Sequence, residues 1–524
     1  MKRTLLLILI AGITGIYGCG GGGGGSSSPG GASSTPSPTT SISTSVRSLV
    51  PFSTPVLAGT VEPFASGATA STSFVGDSYT ASISGSGQDF ITVGFQSCPC
   101  TVATHINSRI NMFSWKNGSL VDVTAQWFPN GSNEILGSYA VKFGDFFRSG
   151  RIDMLVVPGA DKSDLTGPAY LFVNNGSSFS RTTIDLGSKV NAQDLAIVDV
   201  NGDGYLDFIS TDTGQQMTFG INNKSNNFAL YNTKNSSGIA SASGAFLAVG
   251  DFLNNGTVTF ILNGGLHTTY NGVQVTNVGL YSWGTDANNK LTFTLISRLP
   301  QSRFLLPKWT SKSFTSYENL GIVPIDINND GKLDIAMFSQ PVKSNDNNYS
   351  EVQFMQNDGS GNFTDVTDSV LVGYNTSSRV SYVPRLFDIN GDGLIDILAS
   401  GGDSNGTSTQ WLLKSSDGKY VAKWAGQSTD FLTQTYALAG GSAVRADHSN
   451  SLNFIKDPSG QLHLVTYVNV QGAGRRQLQV YTSLLGFPAS GNAQQTASNL
   501  GTQAWPYLKS ATHNPSLATT AQNY

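Results

Sequence analysis

An all-β body of repeated four-stranded units is the architecture this sequence predicts, and three observations predict it. One acidic loop recurs almost unchanged, as DVNGDGYLD (Asp199–Asp207), DINNDGKLD (Asp326–Asp334) and DINGDGLID (Asp388–Asp396), and each copy runs into an apolar stretch. Looser copies of the loop fall into a regular frame along the chain. Finally, polarity comes from Ser, Thr, Asn and 59 glycines while only 12% of residues are charged, a composition of strands and turns with no long amphipathic helical pattern.

The looser copies set the frame. VKFGDFFRSGRIDMLVV keeps Asp145, Gly150 and Asp153 but puts Phe147 and Ser149 at the inner positions. AVGDFLNNGTVTFIL keeps Asp251, Asn255 and Gly256, with Leu253 and Thr259 where the complete loops have amide or acid. FIKDPSGQLHLVTYV repeats the shape around Asp457 and Gly460, and FITVGFQSCPC, taken at Gly94, reads as the first half of another copy. Successive anchors from Gly94 are 51, 54, 52, 75, 62 and 69 residues apart, a base period near 50 with insertions. After most anchors comes a hairpin with an Asn/Asp/Gly turn, as in NMFSWKNGSLVDVT, YLFVNNGSSFSRTTI, VQFMQNDGSGNFTDVT and WLLKSSDGKYVAKW. A loop, a strand and a hairpin per repeat make a four-stranded blade, and blades of this size set radially make a β-propeller, with seven blades of four antiparallel strands expected and six or eight left open.

The D-x-N-x-D-G-x-x-D loops and the flanking FGD, VGD and NNG elements resemble the FG-GAP repeats of integrin α-subunits and the bacterial VCBS repeats, over about residues 90 to 480. Calcium takes six to eight hard oxygen ligands in a flexible cage, and alternating side chains on a tightly curled loop can converge on one point. The resemblance implies side-chain ligands at Asp199, Asn201, Asp203 and Asp207 with the Tyr205 carbonyl. It implies Asp326, Asn328, Asp330 and Asp334 with the Lys332 carbonyl in the second loop, and Asp388, Asn390, Asp392 and Asp396 with the Leu394 carbonyl in the third. The competing reading is a set of Asx turns that staple strands without metal. Against it, carboxylates about 5 Å apart repel by roughly 3 kcal/mol per pair at an effective dielectric near 20. About three calcium ions are therefore expected, in a structural role, because the loops follow the repeat's own frame where an active site would occur once. The incomplete loops at Asp145 and Asp251 are expected to hold none.

At the N-terminus Lys2 and Arg3 precede an apolar run too short to span a bilayer comfortably, ending in IYGC. That ending resembles the lipobox of bacterial lipoproteins and implies lipidation of Cys19. The expected organisation is a signal peptide over 1–18, a lipidated Cys19 and Gly/Ser/Pro-rich tether over 19–46, the propeller over 47–485 and a low-complexity segment over 486–524. A tether of this kind reaches about 30 Å, and several acyl chains make the attachment stable. The expected location is the bacterial cell envelope, lipid-anchored at the outer membrane or cell surface. Cys98 and Cys100 in CPC leave a very tight disulfide open.

A net charge of −4 carries no nucleic-acid footprint. Enzyme signatures are poor: GDSNG (Gly402–Gly406) runs into a strand pattern where a nucleophile elbow needs a helix, and GDSYT (Gly76–Thr80) has no partner block. The Asp447–His448 pair stands in a polar loop pattern. Two insertions hold aromatic and basic residues suited to recognition, one with Arg303, Lys308, Trp309, Lys312 and Tyr317, the other with Trp424, Phe431 and Tyr436. The expected function is a calcium-stabilised binding or adhesion module for a glycan or extracellular protein, membrane-attached through its N-terminus. A polysaccharide lyase or glycosidase, or an envelope scaffold, stays open, because fold alone does not choose.

Overall fold

The computed structural model describes residues between 52 and 485, apart from several internal stretches, the longest being 233–246, 304–316, 342–350 and 375–384. All lie in one compact unit, Thr44–Tyr524. Cys19, the tether, Cys98, Cys100, Gly402–Gly406, Asp447, His448 and the segment after 485 fall outside the described residues.

Seven sheets of four or five strands are present among the described residues, the first five of them antiparallel meanders in chain order. Sheet 1 comprises Phe74–Ala81, Asp89–Gln96, Asn111–Lys116 and Ser119–Asp122. Sheet 2 comprises Ala140–Gly144, Asp153–Val157, Ala169–Asn174 and Phe179–Ile184, and sheet 3 Ala192–Val198, Asp207–Asp212, Met217–Asn222 and Phe228–Asn232. Sheet 4 runs through Leu247–Gly250, Thr259–Tyr270, Val273–Thr285 and Leu291–Arg298, and sheet 5 through Tyr317–Ile325, Asp334–Pro341, Glu351–Asn357 and Phe363–Asp365. Sheet 6 holds Arg385–Phe387, Asp396–Ser400, Thr409–Lys414 and Tyr420–Trp424, with the short Leu371–Val372 parallel to the last. In sheet 7, Ala443–Val444 and Asn453–Lys456 both pair with Leu462–Gly472, which pairs with Arg475–Leu484.

The last strand of sheet 7 comes from the other end of the chain: Val56–Val61 pairs antiparallel with Arg475–Leu484. Apolar layers complete the ring. Side chains alternate across a strand, and here both faces are covered by neighbouring sheets. In Asp153–Val157, Met154 and Val156 pack toward sheet 1 while Leu155 and Val157 pack toward sheet 3. In Asp334–Pro341, Ile335 and Met337 face sheet 4, and Ala336 and Phe338 face sheet 6. Continuing round, separate cores join sheets 3 and 4, 6 and 7, and finally 7 and 1, where Val465 and Tyr467 meet Phe90 and Phe113. A closed ring of sheets with a core in every gap is a β-propeller. It explains why the second strands read as continuous apolar runs instead of alternating ones.

The acidic loops join the first strand of a sheet to its second. The hairpins join the third to the fourth, and Asn117 and Gly118, with φ of 51° and 78°, make a type I′ turn where the sequence predicts an Asn/Gly hairpin turn. The frame is wrong at its start: Gly94 lies inside the second strand of sheet 1, not in a loop. The corresponding loop ends at Asp89 and lacks the leading acid, so the buried FITVGF run mimicked the pattern.

Candidate metal centres and a charged axis

Each acidic loop starts where a first strand ends, and its leading aspartate curls the chain. Asp199 accepts the N–H of Asp203 (3.0 Å) and of Gly204 (2.6 Å) on its two oxygens. Asp326 does the same for Asp330 and Gly331, and Asp388 for Asp392 and Gly393. The incomplete loops keep this pattern, with Asp145 on Ser149 and Gly150 and Asp251 on Asn255 and Gly256. The sixth position turns with positive φ, 85° at Gly204 and 82° at Gly331, which is why glycine stands there.

The inner ligand positions also close on the loop itself. Asn201 Oδ1 accepts the Asp203 N–H (3.0 Å), Asn201 Nδ2 donates to Asp203 Oδ2 (3.3 Å), and Asp203 Oδ1 accepts the Tyr205 N–H (3.0 Å). Asn328, Asp330 and Lys332 repeat these contacts, and Leu394 donates its N–H to Asp392. Asn390 lies outside the described residues.

The closing aspartate has a role that sequence reading missed. Asp207 Oδ2 accepts the N–H of Val200 (2.8 Å) and Oδ1 that of Asn222 (2.8 Å), at the end of the third strand. Asn222 then donates from Nδ2 to the Leu206 carbonyl (3.1 Å) and, across to sheet 2, to the Phe146 carbonyl (2.8 Å). The same relay runs from Asp153 through Asn174 to Ile83 of sheet 1, and from Asp334 through Asn357 to Phe252 before sheet 5. In sheet 6 the Asn position is Lys414: its N–H donates to Asp396, and its ammonium reaches the Asp326 carbonyl (2.9 Å) and Asn329 Oδ1 (3.0 Å). The closing acid thus ties loop to hairpin, and the Asn or Lys ties sheet to preceding sheet. The asparagine before each hairpin turn, in VNNG, INN and QND, was the available signal.

Burial pushes Asp207 up to about 7 despite its two N–H donors, and the nearby charges of Asp199 and Asp203 push the same way. Asp334 is likewise raised to about 7 by burial, with Asp326 and Asp330 adding to it. A hard cation would relieve this crowding, and the all-oxygen donor set fits calcium. The carboxylates are nevertheless turned onto loop N–H groups. Among the described residues no three His, Cys, Asp or Glu side chains stand close enough to share a metal ion. The donors fit the ion in chemistry, and holding it would require them to converge.

Charged side chains also gather where first strands from several sheets meet. Arg385 of sheet 6 donates to Asp77 Oδ1 (3.0 Å) and the Ser78 carbonyl (2.9 Å) of sheet 1, while Asn453 of sheet 7 donates to Ser78 Oγ (2.6 Å). Asp194 of sheet 3 accepts the Leu247 N–H of sheet 4 (3.0 Å). Lys142 of sheet 2 lies in the field of Asp194 and Asp77; burial lowers its pKa and the two acids oppose that. Burial raises Asp77 and Asp194, with Arg385 and Lys142 respectively offsetting it. GDSYT thus belongs to a buried strand, with Ser78 engaged by Asn453 and Asp77 by Arg385.

Of the recognition residues read from the first insertion, only the Arg303 side chain is described. Arg303 is buried, its Nε and Nη2 gripping the two oxygens of Asp365 (2.7 Å each) and its Nη1 donating to Asp368 (2.5 Å). Burial alone would raise Asp365, but the guanidinium holds it below the usual carboxylate range. Arg303 is therefore a structural ion-pair residue. Lys308, Trp309 and Lys312 lie outside the described residues, and in the second insertion Phe431–Ala439 forms a short helix.

Two stretches of the chain, residues 145–210 and 326–399, match the FG-GAP-like repeat family. Both start at a leading loop aspartate and end in the second strand of the following sheet. No curated protein matches the chain. Among solved structures, a chain of the crystal structure of BBS1N in complex with ARL6DN, soaked with lead, is similar at TM-score 0.38 and 9% identity, over 84% of this chain and 99% of that one. The mercury-soaked crystal of the same complex gives TM-score 0.38 and 10% identity, over 84% and 100%. The three complete acidic loops all fall within the two matched stretches, so the β-propeller body carries FG-GAP-like repeats over residues 145–210 and 326–399.

Proposed function

We propose that this protein is a calcium-stabilised binding module that presents a rigid propeller to a glycan or extracellular protein, held at a bacterial envelope through lipidated Cys19. The observation that carries the calcium part is the crowding of Asp199, Asp203 and Asp207 in one loop, repeated at Asp326, Asp330 and Asp334. At free calcium about ten times the dissociation constant, each site would add roughly 1.4 kcal/mol, against a typical domain stability of about 5–15 kcal/mol. A structural cation in the repeat frame suits a module whose task is to hold surfaces in place. Screening the body against glycan and extracellular-protein panels, with calcium and with chelator, tests this reading. Binding that needs calcium supports it, and no ligand in either condition counts against it.

The second reading is an extracellular polysaccharide-acting enzyme, and the axial group Asp77, Tyr79, Lys142, Asp194 and Arg385 is what favours it. Asp194 and Lys142 are half-buried rather than sealed, so a sugar chain entering the axis would meet an acid and an amine. Release of reducing ends or unsaturated uronates from polysaccharide, abolished by Asp194→Asn, would favour this enzyme over the binding module.

A further inference from the structure

Lys414 breaks the pattern of its three counterparts. Asn174, Asn222 and Asn357 are neutral and donate to backbone carbonyls of the preceding sheet's loop. Lys414 occupies the corresponding register position, one residue beyond the partner of Asp396 on the neighbouring strand, yet it ends in a basic amine. Only 3% of it is exposed. Its ammonium is held by the Asp326 carbonyl and Asn329 Oδ1, and lies 5.8 Å from the centre of the Tyr420 ring. The carboxylates in whose field it sits are Asp326 and Asp334 of the second loop and Asp396 of the third. Beside the first loop, the register position of sheet 4 that corresponds is Trp283, two residues past Tyr281, the partner of Phe260. Trp283 packs on Phe219 with ring centres 5.8 Å apart. Its indole brings no positive charge. The lysine nearest the first loop, Lys224, bonds Asp203 Oδ2 at 3.3 Å from an exposed position, where solvent screens it and its stem can swing away.

We propose that Lys414 is a built-in counter-cation of the loop Asp326–Asp334, so that the acidic loops are unequal and the first, Asp199–Asp207, is the tighter calcium site. This rests on the calcium reading above. The ammonium sits in the field of the acids that would hold the ion, and it is buried at the loop. Calcium entering the second loop must bind against a fixed positive charge. The first loop and its calcium meet no such charge. The sequence motif makes the three loops look alike, but the residue that separates them lies 80 positions downstream of the second loop's end, at Lys414.

The test is a calcium titration of the full chain by calorimetry, on the unmodified protein, Lys414→Asn and Lys414→Met. Asn is the residue found at the three equivalent positions, and Met keeps the buried stem while removing charge. The unmodified protein is expected to show a tight and a weak class of sites. Both variants should tighten the weak class by on the order of tenfold or more and leave the tight class unchanged. Asp330→Asn, at an exposed position of the second loop, should weaken only the weak class, and Asp203→Asn only the tight one. This pair keeps the idea testable if both Lys414 variants misfold. If folded Lys414 variants bind calcium as the unmodified protein does, or if Asp330→Asn removes the tight class, the inference fails while the calcium reading stands. If neither the unmodified protein nor the Lys414 variants bind calcium, both fail.

Discussion

A carboxylate taken out of water needs donors or a cation, and this chain buries one at the start of the second strand in sheet after sheet. Asp153, Asp207, Asp334 and Asp396 are fully buried. Each accepts backbone N–H groups, and the donors in the third strand hold the preceding sheet in turn. Replacing Asn222 by Ala would leave the Phe146 and Leu206 carbonyls without that donor, and an unsatisfied buried group costs about 1–3 kcal/mol. Urea denaturation should show a loss of that size with the slope unchanged. Asp153 allows a pH test outside the complete loops. Burial raises it from 3.8 to about 7, so the folded protein holds this proton more tightly than the unfolded chain. Its contribution is full below about pH 3.8 and is lost as pH rises to about 7. The stability of the unmodified protein relative to Asp153→Asn should therefore fall between about pH 4 and about pH 7 in chelator and level off above that. A constant difference would contradict the assignment.

The unit at the next scale is the strand–loop–strand with its hairpin. Gly331 has φ of 82° and no neighbouring atom where a Cβ would go, so Gly331→Ala adds strain without a clash. A left-handed non-glycine residue costs about 1–2 kcal/mol, and a melting curve in chelator should show that loss. Much of this element was legible in advance, because D-x-N-x-D-G-x-x-D fixes a curled loop and N-G or D-G fixes a hairpin turn. The first sheet was misframed because its loop keeps only the closing acid, Asp89, which accepts the Ile83 and Ser84 N–H groups (2.7 Å each). In sheet 4 Thr259 replaces that acid, its hydroxyl donating to the Gly250 carbonyl (2.8 Å). The Asn clamp went unread because its partners lie in a different sheet, 76 residues away for Asn222 and Phe146. In the sequence Arg303 reads as a ligand-facing residue, because composition does not reveal Asp365 and Asp368, 62 and 65 residues away.

At the scale of the whole molecule, two devices close the ring. The strand Val56–Val61 completes sheet 7 from the far end of the chain, and Arg385 bonds Asp77 between sheets 6 and 1. A chain beginning after Val61 would bare the Arg475–Leu484 edge, and unpaired edges recruit other strands. Light scattering should then show association, together with a lower melting temperature. The periodicity in the sequence carried the ring, since a repeat of this length with both strand faces apolar can be buried only between two like neighbours. The charged axis was not legible, because Asp77, Lys142, Asp194 and Arg385 are isolated residues in four separate strands.

On the proposed function, hard divalent ions neutralise the acidic loops and so lock the propeller. Thermal melting of the purified full chain in calcium and in EDTA, with calcium binding counted on the same sample, tests it most directly. Bound calcium is expected, with its tighter site in Asp199–Asp207, and a melting temperature several degrees higher with calcium than with chelator. No bound calcium, with the same melting temperature in both conditions, would contradict it.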